Sequence, residues 1–96
     1  MTKRIRLTEQ AEDDVLEIWE YIAADNSSAA DRLVDRFTEI YEKLARNPGM
    51  GVKQEQYRPG LRCFPVGKYI VFYTVGDDEL IVYRVLHGSR RLEDLL

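Results

Sequence analysis

Residues 59–91 read PGLRCFPVGKYIVFYTVGDDELIVYRVLHGSRR, and they predict three consecutive antiparallel strands. These strands are expected at Leu61–Phe64, Lys68–Val75 and Leu80–Leu86. The longer two are rich in β-branched and aromatic residues, which suit a pleated surface. Val66-Gly67 and Gly76-Asp77-Asp78 supply tight turns between neighbouring strands. The segment therefore predicts a small antiparallel sheet.

The central predicted strand is apolar on both of its faces. Side chains alternate along a strand, so Ile70 and Phe72 share one face. The opposite face carries Tyr69, Val71, Tyr73 and Val75. A small antiparallel sheet with one side in water should show one polar face. We therefore expect that something covers, or waits to cover, the second side.

The residues before the sheet predict one edge strand and two helices. Lys3–Leu7 alternates charged and apolar residues, a pattern typical of a short edge strand. Thr8 is expected to cap a first helix that ends near Asp25-Asn26. Ser27 or Ser28 is expected to cap a second helix, with Ser28 and Asp31 forming a capping box. Asn47-Pro48-Gly49 should end that helix.

Each predicted helix carries one apolar stripe with helical spacing. The stripes are Ala11, Val15, Ile18, Trp19 and Ile22 in the first helix, and Leu33, Phe37, Ile40, Tyr41 and Leu44 in the second. Trp19 and Phe37 are expected to be the largest anchors, and Gly49–Arg58 a surface loop. The sequence thus predicts one α+β domain over residues 1–96, of β-αα-βββ order, with a helical hairpin packed on a small antiparallel sheet.

Composition narrows the class of protein. The chain has 96 residues, 45% of them hydrophobic, which suffices for one modest core. A net charge of −3 gives no overall attraction to nucleic acid. No apolar run approaches the length that a membrane span needs, and the single cysteine, Cys63, fits a reducing compartment. We therefore expect a cytoplasmic protein that does not contact membranes.

The candidate catalytic and metal-binding groups are few. His87 is the only histidine; its ordinary pKa suits acid–base chemistry, but a hydrogen bond to a turn is the structural alternative. One histidine and Cys63 cannot assemble a usual zinc site. The acidic cluster Glu12, Asp13, Asp14 and Glu17 is typical of a solvated helix face. The sequence predicts no cofactor and no metal.

The basic residues of the sheet are a further candidate site. Arg62 and Arg84 lie within predicted strands whose neighbours are apolar. Arg58, Lys68, Arg90 and Arg91 flank the same sheet. A guanidinium is costly to bury alone, so such arginines usually meet a carboxylate, a phosphate or a partner. Alternatively, Arg62 and Arg84 line a solvated face or pair with helix carboxylates.

Several segments together resemble the ParE-type toxins of the ParE/RelE superfamily. They are LTEQAEDDVLEIWEYIAADN, AADRLVDRF, LARNPGMG, RPGLRCFPVGKYIVFY and VYRVLHGSRRLE, which extend the likeness from Arg4 to Glu93. The resemblance implies the β-αα-βββ fold and the toxin half of a type II toxin–antitoxin pair, kept inactive by a ParD-like antitoxin. ParE-type toxins block DNA gyrase, whereas RelE-type relatives cleave messenger RNA on the ribosome.

The sequence favours gyrase inhibition over cleavage of messenger RNA. A ribosomal ribonuclease must neutralise phosphates and transfer protons, for which a basic chain is suited. This chain is acidic, and its SRRLEDLL tail offers no tyrosine or histidine to join Arg62, Arg84 and His87, the residues that the ribonuclease alternative would use. We therefore expect a non-enzymatic gyrase inhibitor. A toxin-fold protein that has lost toxicity and only binds antitoxin is a third possibility.

The resemblance also suggests where partners bind. An amphipathic helix of the antitoxin is expected in a groove beside the hairpin and the sheet, with its carboxylates on the sheet arginines. The antitoxin-binding candidates are Trp19, Tyr21, Tyr41, Arg58, Arg62, Tyr73 and Arg84. The target-binding candidates are His87, Arg90 and Arg91. For Trp19 the alternative is an ordinary core position. Contact with DNA is expected only indirectly, through the antitoxin.

Overall fold

The computed structural model describes residues 2–89. In chain order the elements are β1 (Arg4–Leu7), α1 (Glu9–Ala23), α2 (Ser27–Arg46), a 3-10 turn (Pro48–Met50), β2 (Val52–Lys53), β3 (Arg62–Val66), β4 (Tyr69–Val75) and β5 (Glu79–His87). The strands form one sheet of order β1-β5-β4-β3-β2. The helical hairpin packs on one face, which confirms the predicted α+β fold.

The sheet differs from the prediction in three details. β1 pairs with β5 in parallel, so the sheet is mixed, whereas the other three pairings are antiparallel. The predicted loop after α2 contains the two-residue strand β2, which pairs with β3. β3 also continues through Pro65, and Gly67, with φ of +59°, makes the turn into β4. A left-handed backbone of this kind favours glycine.

The two helices begin at different kinds of cap. Thr8 caps α1 as predicted: its hydroxyl oxygen accepts a hydrogen bond from the Ala11 amide at 3.1 Å. For α2 the serine prediction is wrong. Asn26 is the cap, and its side chain accepts from the Ala29 amide at 3.0 Å, so the helix already begins at Ser27. Asparagine is as good a cap as serine, and here it comes first along the chain.

The main core lies between the hairpin and the sheet. Its largest fully buried members are Tyr73, Phe37, Leu44, Leu80, Val66, Val71, Val82 and Val85. The α2 stripe is confirmed, but Trp19 is not a core anchor. Its side chain is half-buried, and its indole N–H donates to Asp31 at 2.8 Å, linking α1 to α2. Neither helix of the described chain is long and apolar enough to cross a membrane.

The opposite face of the sheet is partly covered by the chain itself. Leu61, Phe72 and Leu86 form a second buried cluster there, against which Tyr83 packs. Arg58 lies 4.5 Å above the Tyr83 ring and donates a hydrogen bond to its hydroxyl at 2.6 Å. The segment before β3 therefore folds back over this face. It provides part of the cover that the apolar strand pattern requires.

Candidate functional site

A groove opens between α1 and the end of the sheet where β5 finishes and β4 begins. β1 pairs with β5 only as far as Leu7 and Val82, because the chain then turns into α1, while β5 continues to His87. The resulting α1–β5 groove has a volume of about 750 Å³. Its lining from α1 is Asp14, Glu17, Ile18, Tyr21 and Ile22, and its lining from the sheet side is Lys68, Tyr69, Val85, Leu86, His87 and Ser89.

Asp14 joins α1 to β5 at one end of this groove. Its carboxylate accepts two hydrogen bonds from the Arg84 guanidinium, both at 2.8 Å, and one from the Val85 amide at 3.0 Å. The two charged side chains are only 11–13% exposed. The hydrogen bonds that Arg84 donates to Asp14 raise the pKa of Arg84, so the guanidinium stays charged. Arg84 therefore pairs with a helix carboxylate, which is one of the two alternatives for the sheet arginines.

For Asp14, the predicted position on a solvated helix face is wrong. Glu12, Asp13 and Glu17 are exposed, as a solvated face requires, but Asp14 is not. The sequence does contain one indication that Asp14 faces the sheet. Asp14 precedes Ile18 by one helical turn and therefore lies on the same side of α1. An acid beside the apolar stripe, together with an arginine in an apolar strand, favours an ion pair between them.

Arg62 lies on β3 and is engaged there by the turn after α2. Its Nη1 donates to the Gly51 carbonyl at 2.8 Å. The Tyr73 hydroxyl accepts from the Gly51 amide at 2.9 Å and donates to the Pro48 carbonyl at 2.7 Å. Tyr73 itself is fully buried. These contacts fix the turn after α2 against β3 and β4, and they direct Arg62 away from the α1–β5 groove.

His87 lies at the mouth of the groove and is exposed. Its Nδ1 accepts a hydrogen bond from the Ser89 amide at 3.1 Å and lies 2.8 Å from the Ser89 hydroxyl. The ring also meets Tyr69 edge to face, with centroids 5.5 Å apart. Of the three residues that a ribonuclease would use, Arg84 and His87 share β5, while Arg62 lies on β3, which β4 separates from β5.

Some of the remaining candidate binding residues lie on the surface, and others lie in the core. Tyr21 is 81% exposed at the groove, but Tyr41 and Tyr73 belong to the core and present almost no surface. Arg58 is exposed and stacked on Tyr83, as described above. Arg90 and Arg91 lie outside the described residues. Within residues 2–89, no cluster of three or more His, Cys, Asp or Glu side chains could hold a metal ion.

Comparison with solved structures defines the fold class. The chain is similar to a structure described as the chromosomal ParDE TA system from P. aeruginosa, with a TM-score of 0.74, 18% identity, and 90% of this chain and 96% of that chain covered. It is also similar to a chain of the toxin–antitoxin complex RelBE2 from Mycobacterium tuberculosis, with a TM-score of 0.58, 21% identity, and coverage of 91% and 99%. The fold is thus that of ParE and RelE toxin structures.

Comparison of sequences then gives the family. The family described as "ParE toxin of type II toxin-antitoxin system, parDE" matches residues 5–92. Toxin ParE1 of Caulobacter vibrioides is 36% identical over 90 residues, which cover 91% of each chain. Toxin ParE1 of Mycobacterium tuberculosis is 29% identical over 89 residues, again 91% of each chain. The chain belongs to the ParE toxin family of type II toxin–antitoxin systems.

Proposed function

We propose that this toxin inhibits DNA gyrase by binding, without enzymatic turnover, and that a ParD-like antitoxin neutralises it. Membership of the ParE family supports both parts of the proposal. The fold alone does not separate the two activities, because it is shared with RelE-type structures. The choice between gyrase inhibition and ribonuclease activity therefore depends on the geometry of the candidate residues.

The observation that carries the proposal is the separation of Arg62 from Arg84 and His87. A ribonuclease needs its phosphate-binding and proton-transfer groups around one reacting phosphate. Arg62 instead holds the Gly51 carbonyl, and Arg84 is held by Asp14 on the far side of β4. Both guanidinium groups thus make contacts that stabilise the fold, which supports a role in structure rather than in phosphate binding.

The α1–β5 groove is the surface that we propose for the antitoxin. Its lining combines apolar residues such as Ile18 and Ile22 with charged ones such as Glu17 and Lys68, and the exposed Tyr21 stands at its rim. Exposed aromatic residues beside apolar pockets commonly carry much of the energy of a protein–protein interface. Because Arg84 is paired with Asp14 and Arg62 is hydrogen-bonded to the Gly51 carbonyl, we propose that Tyr21 and the groove lining provide the main contacts.

Induction of the chain in growing bacteria tests the proposed function. Gyrase inhibition should cause filamentation and a DNA-damage response while protein synthesis continues. Co-expression of the ParD-like antitoxin should restore growth. Rapid arrest of translation, with cleavage of messenger RNA on ribosomes, would show instead the ribonuclease activity of the RelE branch. Induction of the chain without any growth defect would leave only antitoxin binding.

A further inference from the structure

Residues 2–89 cover only part of the sheet face that points away from the helical hairpin, which we call the outer face. Side chains of directly paired residues project from the same face of a sheet, so the pairing of the strands identifies the members of this face. Two neighbouring rows of paired residues cross it: Val52, Cys63 and Phe72 in one row, and Pro65, Ile70 and Leu86 in the other. The buried cluster described above lies among these rows.

The outer face keeps apolar surface exposed beside that buried cluster. Val52 is 63% exposed, Pro65 is exposed, and Ile70 is half-buried. The segment before β3 covers another part of the face, where Arg58 lies on the Tyr83 ring. Exposed apolar side chains that continue from one row to the next are a feature of protein–protein interfaces. The outer face therefore has the apolar component of a docking surface.

Basic side chains border this apolar surface. Ile5 of β1 pairs with the core residue Leu80, so Arg4 and Arg6 project from the outer face. Each makes an ion pair with a carboxylate at the start of β5 or in the turn before it, at 3.0 and 3.5 Å, but both guanidinium groups are more than half exposed. Because exposed ion pairs are weak, Arg4 and Arg6 can also bind carboxylates of a partner.

The two sides of the molecule carry charge of opposite sign. The helical hairpin, residues 9–46, has eleven acidic and four basic residues, whereas residues 2–8 and 47–89, which contain the whole sheet, have eight basic and four acidic residues. A partner on the outer face therefore meets an excess of positive charge, which favours carboxylates. The net charge of −3 gives no overall attraction to nucleic acid, so the apolar rows and the arginines together favour a protein partner.

We infer that the toxin binds gyrase with the outer face. The complementary gyrase surface is apolar where it meets β2, β3 and β4, and acidic where it meets Arg4 and Arg6 of β1. Protein interfaces commonly combine an apolar centre with a polar rim, and arginine is enriched in them. The inference rests on the proposed inhibition of gyrase and specifies where the target is held.

A matched pair of variants that add one carboxylate tests the outer face. Val52→Glu changes an exposed residue of this face, and Leu16→Glu changes a 55% exposed residue of the hairpin. In a supercoiling assay with purified gyrase, half-inhibition should need about tenfold more Val52→Glu than wild type, because a negative charge is added opposite an acidic and apolar surface. The Leu16→Glu value should stay within about twofold of the wild type. Wild-type inhibition by Val52→Glu, or an equal loss for Leu16→Glu, would overturn the inference.

A second pair keeps the test decisive if Val52→Glu does not fold, which circular dichroism checks. Arg6→Gln removes one positive charge from the outer face, and Arg32→Gln removes one from the exposed side of α2. We expect Arg6→Gln to inhibit gyrase about threefold more weakly than the wild type, and Arg32→Gln to inhibit it equally well. Equal inhibition by these two variants would contradict a contact between β1 and the target.

Measurements of antitoxin binding and of oligomeric state separate the other possible occupants of the outer face. Val52 lies on β2, which β3 and β4 separate from β5, so Val52→Glu should bind the ParD-like antitoxin within about twofold of the wild type in calorimetric titration. An equal loss of antitoxin binding and of gyrase inhibition would overturn the inference. A toxin dimer in sedimentation that Val52→Glu dissociates, with inhibition unchanged, would assign the outer face to a second copy instead.

The same supercoiling assay distinguishes failure of the inference from failure of the proposed function. If the unmodified toxin does not inhibit gyrase, the proposed function itself is wrong. If the unmodified toxin inhibits gyrase and both outer-face variants inhibit it equally well, the proposed function stands and the inference alone is overturned.

Discussion

Asp14 shows how a single side chain can determine both the stability and the shape of the site. Its three hydrogen bonds, to Arg84 and to the Val85 amide, hold α1 against β5 where β1 no longer pairs. Beyond this contact, α1 and β5 border the open groove. The ion pair is largely shielded from water, so each partner depends on the other for compensation of its charge.

Replacing Asp14 should therefore destabilise the fold. Asp14→Asn keeps the shape of the side chain but leaves the Arg84 guanidinium without its carboxylate, and we expect a loss of about 1–3 kcal/mol in the free energy of unfolding. Asp13→Asn is the matched control, because Asp13 is the adjacent residue and exposed. Its effect should stay within about 0.5 kcal/mol. Urea denaturation of both variants makes the comparison, and equal effects would contradict the role given to Asp14.

The buried hydroxyl of Tyr41 leads to a second prediction about stability. Its hydroxyl is buried, with no hydrogen-bond partner among the described residues, so Tyr41→Phe should raise the free energy of unfolding by about 1 kcal/mol. Burial, with a smaller contribution from Asp14, raises its pKa from 10.0 to about 12. Above pH 10 the unfolded chain ionises first, so the wild type loses stability between about pH 10 and 12, and the phenylalanine variant lacks that loss.

Denaturation at several pH values tests this prediction. The advantage of Tyr41→Phe over the wild type should be about 1 kcal/mol at pH 8 and should grow by about 1–2 kcal/mol more as the pH approaches 12. Tyr73 also has a raised pKa, again chiefly from burial, but it is common to both proteins and cancels in the comparison. A difference between the two proteins that does not change with pH would contradict the account of Tyr41.

At the scale of elements, the turn after α2 is tightly packed on the sheet. Pro48 and Gly51 are both hydrogen-bonded to the buried Tyr73 hydroxyl, and Arg62 binds the Gly51 carbonyl. A side chain at Gly51 has no room: its Cβ would overlap the Tyr73 hydroxyl and lie 2.8 Å from the Cys63 carbonyl oxygen. The close approach of this backbone to β3 requires glycine.

Gly51→Ala should therefore cost about 1–3 kcal/mol of stability, because neither the buried tyrosine nor the β3 backbone can easily move. Gly49→Ala serves as the control within the same turn, since a Cβ there would meet nothing within 4 Å. Thermal unfolding followed by circular dichroism should show a lower midpoint for the Gly51 variant alone. If both variants unfold at the wild-type temperature, the conclusion that a side chain has no room at position 51 is contradicted.

The same elements show which features local patterns can predict. The 3.6-residue and two-residue periods predicted both helices and the three consecutive strands after them, because burial repeats along those elements. β2 has only two residues, so no period exists, and the strand forms through pairing of Val52 with Cys63 and of Lys53 with Arg62. The α2 cap was misassigned because Asn26 and the two serines after it are all acceptable caps in sequence alone.

At the scale of the whole molecule, the groove results from the path of the chain. β1 stops at Leu7 while β5 continues to His87, and α1 borders the open side. A sequence pattern indicates that apolar surface is in excess, but it cannot say where that surface stays open. Here the segment before β3 covers part of one face, and the opening is left beside α1. Tyr21 was a candidate from the sequence, whereas Asp14 became one only through its contacts.

The direct test of this account is the affinity of the ParD-like antitoxin for two variants of α1. Tyr21→Ala removes the 81% exposed aromatic side chain of the groove, and Leu16→Ala removes a 55% exposed side chain of the same helix outside the groove lining. Calorimetric titration should show binding at least about tenfold weaker for Tyr21→Ala, and an affinity within about twofold of the wild type for Leu16→Ala. Equal affinities, or a larger loss for Leu16→Ala, would contradict the assignment of the antitoxin to the α1–β5 groove.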